Sequence, residues 1–143
     1  MGEPPPTYAG FLGTWVLMPE TCVYEQGPAP RAGRYLIEED GERLRFTIAW
    51  TAADGTDHQA TFAGRPDGVA VPFAGGDAVD AIAITLVSSR DLRSTAYWRG
   101  HERMVAQRQL DAAGQAMRVT QVVRFADGTR AANVVVYRRY LPS

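Results

Sequence analysis

The chain has 143 residues, 15 Lys plus Arg, 16 Asp plus Glu and a single cysteine. That length suits one domain whose core needs neither disulfide nor metal, and Cys22 alone excludes an intrachain disulfide or a zinc site built on several cysteines. A net charge of −1, with the cations dispersed along the chain, argues against a nucleic-acid footprint, and no apolar run of about 18 residues is present to span a membrane.

In chain order, residues 1–10 (MGEPPPTYAG) are Pro-rich and read as a flexible N-terminal arm, with 11–143 as one β-barrel domain. The start lacks a basic n-region and an apolar h-region, so a cytoplasmic location is expected. Phe11 to Met18 reads as a first strand. Pro19 to Gly33 is interrupted by Pro28 and Pro30 and reads as a loop or short turn over one end of the fold. Strands then follow near Arg34–Glu39, Arg43–Thr51, His58–Gly64 and Val69–Phe73. Further strands are expected near Ala81–Ser88, Leu92–Arg99, Glu102–Leu110, Gln115–Ala126 and Thr129–Tyr140. Gly-containing turns separate most of them: Asp40-Gly41, Asp54-Gly55, Asp67-Gly68, Gly75-Gly76, Ala113-Gly114 and Asp127-Gly128. Asp-Gly between alternating segments is a strong hairpin signal, because tight hairpin turns need positive φ. The expected fold is all-β: a single antiparallel up-and-down β-barrel of about 8–10 strands.

Period-two alternation assigns faces. Leu44, Phe46, Ile48 and Trp50 share one, and Trp50 should pair with His58, Ile48 with Ala60, and Phe46 with Phe62. Tyr35 and Ile37 point inward, as do Ser94, Ala96 and Trp98. So do Met104, Ala106, Arg108 and Leu110, and then Met117, Val119, Gln121, Val123 and Phe125. In the last strand the pair Val134 and Val136 competes with Val135 and Tyr137.

Phe11-Leu12-Gly13-Thr14-Trp15 leading into a strand resembles the opening of the calycin superfamily, which includes lipocalins and fatty-acid-binding proteins. Tyr97-Trp98-Arg99-Gly100, Arg108-Gln109-Leu110 and the closing Val135-Val136-Tyr137-Arg138-Arg139 resemble the last strands of a fatty-acid-binding protein. Gly27-Pro28-Ala29-Pro30 is similar to a stretch of small bacterial lipocalin-like proteins of no assigned activity. The resemblance implies that Trp15 plugs one barrel end and that a small apolar or amphipathic molecule is the partner. Two features depart from it. The Pro-laden 19–33 segment is too short for the helix-turn-helix lid of fatty-acid-binding proteins. Of their Arg-x-Tyr carboxylate site, Tyr137 matches while the Arg position holds Val135, leaving Arg108 as the counterpart of their other arginine.

The expected ligand-binding residues are Tyr35, Trp50, His58, Trp98, Arg108 and Tyr137. Arg108 on an apolar face needs acceptors, and an anionic ligand head is one, an internal ion pair another. His58 is the candidate general base, set against a hydrogen-bonded histidine at the barrel end. His101 follows a turn and should be exposed. Two histidines on separate hairpins give no metal-ligand spacing, so no metal is expected. No Gly-x-Gly-x-x-Gly, Walker or Gly-x-Ser-x-Gly motif occurs, and no cofactor is expected. Binding without transformation is thus the leading expectation. A cyclase- or isomerase-type enzyme using the same cavity, and a filled barrel acting through its surface, compete with it.

Overall fold

The computed structural model describes residues 7–73 and 79–140. Ten strands form one antiparallel sheet: β1 (Gly13–Tyr24), β2 (Ala32–Asp40), β3 (Arg43–Thr51), β4 (Asp57–Gly64), β5 (Val71–Pro72), β6 (Ala81–Ser88), β7 (Asp91–Trp98), β8 (His101–Leu110), β9 (Ala116–Arg124) and β10 (Arg130–Arg139). The order is β4-β3-β2-β1-β10-β9-β8-β7-β6-β5, so every neighbour is a sequential hairpin except β1–β10, which closes the wall. The helical content of the described residues is a single 3-10 turn, Ala9–Phe11, and none of their helices is long and apolar enough to cross a membrane.

The barrel is nearly closed. The remaining seam lies between β4 and β5, and one end of it is drawn together by an isolated bridge, Asp67 to Thr85, and by Gly68 N–H donating to Ile84 O at 2.8 Å. Gly64 makes that approach possible, since a Cβ there would lie 3.1 Å from Ile84 Cδ1. The turn glycines Gly41, Gly55, Gly68, Gly114 and Gly128 all carry positive φ, as the hairpin pattern requires. The Gly75-Gly76 turn lies outside the described residues, and so do residues 1–6 of the expected arm. Tyr8 packs against the core, and Thr7 N–H donates to Ser89 Oγ at 3.2 Å.

The cross-strand pairs Trp50–His58, Ile48–Ala60 and Phe46–Phe62 form as the alternation implies. In β10 the inward pair is Val135 and Tyr137. Two elements differ from the sequence reading. β1 runs through Pro19 to Tyr24, but its ladder to β2 ends at Val16, and its register on β10 shifts between Met18 and Val23. Pro19 therefore sits where no N–H is needed, and Thr21 Oγ1 accepts from Val136 N–H at 2.9 Å, standing in for backbone. β5 shrinks to two residues beside the seam, because Pro72 lacks a donor.

The two halves of the lumen differ. At one end Trp15, Phe11, Leu44, Leu92 and Met117 are fully buried. Each such side chain contributes roughly 1.5–3 kcal/mol of transfer free energy. Trp15 Nε1–H donates to Phe11 O at 3.0 Å. The Arg139 guanidinium covers the Trp15 ring at 4.2 Å. A barrel widens with strand number, and toward the other end the side chains no longer fill it.

Candidate ligand cavity

The unfilled half encloses a cavity of about 300 Å³. Its residues come from three places. One wall is Tyr35 and Ile48, with Trp50 and Ala52 above them toward the mouth. The opposite wall is Ala106, Val119 and Val135, with Gln121, Asn133 and Tyr24 above. Pro28 and Pro30 cross the mouth, and Tyr137 lies toward the filled half.

The loop carrying those prolines is tied at both ends. Asn133 Oδ1 accepts from Glu25 N–H at 3.0 Å and Gln26 N–H at 3.2 Å, and Arg31 N–H donates to Thr51 O at 2.8 Å. With φ fixed, the prolines hold an extended strap.

Arg108, two residues along β8 from the lining residue Ala106, does not itself line the cavity and is 1% exposed. Its Nε–H donates to Tyr35 Oη at 2.7 Å and an Nη2–H to Ser94 Oγ at 3.0 Å. A long 3.4 Å contact reaches Ala106 O. The guanidinium also sits 4.7 Å from the Phe46 ring centroid, and Phe46 stacks on Phe62 at 4.7 Å. These rings soften the cost of a buried cation through their quadrupoles. Among the described residues no carboxylate pairs with it. The internal ion pair weighed from the sequence is therefore not formed among them. A guanidinium carries more N–H donors than these three oxygens accept.

Tyr35 and Tyr137 pack edge to face at 5.4 Å. Because Tyr35 Oη accepts from Arg108, its own proton stays free to donate into the cavity. Burial, and after it the neighbouring Tyr35, push the Tyr137 phenol well above its ordinary pKa, so it remains a neutral donor. The floor thus offers donors over a positive charge.

Of the expected site residues, Tyr35, Trp50 and Tyr137 line the cavity, Arg108 reaches it only through the Tyr35 hydroxyl it donates to, and two others lie apart. His58 is exposed and stacks on Trp50 with centroids 5.4 Å apart. The Thr56 hydroxyl donates to Asp54 Oδ1 at 2.6 Å, so its lone pair takes the His58 Nε2–H at 3.0 Å. Trp98 does not line the cavity. The register between β7 and β8 shifts after Ala96, and Trp98 ends up at the hairpin tip, where the Arg99 guanidinium lies 5.2 Å from its ring. Arg99 and Gly100 both have positive φ, 49° and 80°, the mark of a two-residue hairpin turn. His101 is exposed at the same tip.

Gln121, Asn133, Tyr24, Pro28 and Pro30 were not singled out from the sequence as site residues. The signal for Gln121 was a polar residue on an inward face. Asn133 was hidden by the ambiguous parity of the last strand. Among the described residues no group of three or more His, Cys, Asp or Glu side chains converges as a metal site would require.

No protein-family model matches the chain, and no curated protein matches its sequence. Solved structures do match. A Schistosoma mansoni fatty acid binding protein in complex with arachidonic acid superposes with a TM-score of 0.59 at 16% identity, over 94% of this chain and 98% of that one. A zebrafish ileal bile acid-binding protein complexed with cholic acid gives 0.52 at 12% identity, over 92% and 99%. The class defined here is an all-β antiparallel barrel, nearly closed by ten up-and-down strands. Within it the fold is of the fatty-acid-binding-protein type, without helices between β1 and β2.

Proposed function

We propose that this chain is a binding protein for a small amphipathic anion, held in the unfilled half of the barrel. The charged end rests on Tyr35 and Tyr137 above Arg108, and the apolar body lies against Ile48, Val119 and Val135. The observation that carries this reading is a buried guanidinium with no acidic partner among the described residues, donating to the hydroxyl of Tyr35, a residue that lines the cavity. A buried charge calls for a counter-charge. The similar structures hold arachidonic acid and cholic acid, which supports an acid as the ligand. The cavity lies at the lower end of the size range of small-molecule sites, so a compact ligand fits better than a long one. Kinship with small bacterial lipocalin-like proteins rests on the Gly13-Thr14-Trp15 and Gly27-Pro28-Ala29-Pro30 stretches.

Calorimetric titration with decanoate and with decanol tests the reading. Arg108→Met should weaken decanoate by about 1.5–3 kcal/mol, the scale of a charge-assisted hydrogen bond, and leave decanol nearly unchanged. Equal loss of both, or no binding of either to the native protein, would overturn it.

A further inference from the structure

The cavity carries two polar levels. The lower one is the floor of tyrosine hydroxyls over Arg108. The upper one is a row running across the wall: Ala106 pairs with Gln121, Gln121 with Asn133, and Asn133 with Tyr24. Between them lies an apolar belt, Val119 and Val135, which are themselves a register pair.

The row is unevenly occupied. Asn133 spends its oxygen on the strap. The half-buried Gln121 has one amide N–H directed at Met104 Sδ, a weak acceptor. Its Oε1 accepts no hydrogen bond among the described residues, and it is not sealed from the cavity. An unbranched acyl chain laid against that amide would strip its water and return nothing. A ligand hydroxyl would restore the bond. A site with a polar group so placed discriminates against the analogue that lacks the hydroxyl. A volume of about 300 Å³, at the lower end of the range for small-molecule sites, leaves little slack for a long chain to bypass the amide.

We infer that the ligand is a compact acid with a second hydrogen-bonding group, a hydroxyl that can donate, at the far end of a short apolar body, and that Gln121 reads that group. This rests on the function proposed above, with Arg108 at the acid end, and adds a specificity-determining residue at the other.

Decanoate and 10-hydroxydecanoate differ only in the terminal hydroxyl. Titrated into the native protein, the hydroxy acid should bind about fivefold or more tightly than decanoate, and Gln121→Leu should erase that difference. Gln121→Asn, which shortens the amide by a methylene, should narrow it, and serves if the Leu variant fails to fold. Equal binding of the two acids to the native protein would overturn this inference while leaving the proposed function standing. A preference that survives Gln121→Leu would remove Gln121 from the role. Binding of neither acid would overturn both.

Discussion

Two arginines mark the two halves of the barrel. Arg139, at the filled end, donates to three backbone carbonyls: Gly114 O at 3.0 Å, Leu12 O at 2.9 Å and Gly10 O at 2.6 Å. It also covers the Trp15 ring at 4.2 Å, and it is only half-buried. Arg108, at the hollow end, has two hydroxyls and a distant carbonyl, and water does not reach it. Each guanidinium has three acceptors, but Arg139 holds main-chain carbonyls at 2.6 to 3.0 Å while Arg108 holds two side-chain hydroxyls and a carbonyl 3.4 Å away. Three main-chain acceptors from two segments, 10–12 and Gly114, signal an architectural staple. Two hydroxyl acceptors, one of them on the cavity-lining Tyr35, tie Arg108 to the cavity wall instead.

Removing the plug should have the largest effect. Trp15→Ala is expected to cost about 3–5 kcal/mol in urea unfolding, as for other fully buried large aromatics. A loss under about 1 kcal/mol would mean that the filled end does not depend on Trp15. Next comes a paired experiment. Arg139→Met should cost about 2–3 kcal/mol, since it leaves three carbonyls short of a charged donor and uncovers Trp15. Arg108→Met should change stability by less than about 1 kcal/mol in either direction, because exchanging a buried charge for an apolar side chain is often neutral. Equal losses in the two variants would erase the distinction.

The smallest effect should come from acid. Asp54 and Asp127 have lowered pKa values, chiefly through hydrogen bonds from the side chains of Thr56 and Thr129. Asp111 is lowered chiefly by the backbone N–H of Ala116. Carboxylates held below their unfolded pKa stabilise fully above about pH 4, and the contribution fades as pH falls through the folded values. Melting curves between pH 6 and 3 should therefore drop less steeply for the Asp54→Asn, Asp111→Asn, Asp127→Asn triple variant than for the native chain. Superimposable slopes would show that these turns carry no linkage.

Local alternation made much of this legible. Phe46, Ile48 and Trp50 lie on one face of an uninterrupted strand, and their partners on β4 follow from counting across the Asp54-Gly55 turn. Arg108 is legible for the same reason, since β8 and β9 stay in register from Met104 to Leu110. Parity fails where the ladder slips. The shift after Ala96 moves Trp98 to a hairpin tip, and the shift in β1 hides that the chain continues as strand beyond Pro19. The strap was visible as a proline-rich interval, but the hydrogen bonds of Asn133 that place it over the mouth join residues far apart in sequence, and no local pattern encodes them. Nor does any pattern say where side chains stop filling a lumen, which depends on the summed volumes of ten strands.

The pairing of β1 with β10 also orders the events of synthesis. Every other ladder joins consecutive strands and can form soon after its second strand emerges, at a small loop-closure cost. The β1 ladder cannot, because its partner is the last strand of the sheet to be made. Until then Trp15 lacks Arg139, and the outer edge of β1 is a bare row of donors and acceptors. Closing the barrel therefore waits for its last strand, and joins the two ends of the sheet's sequence in one ladder.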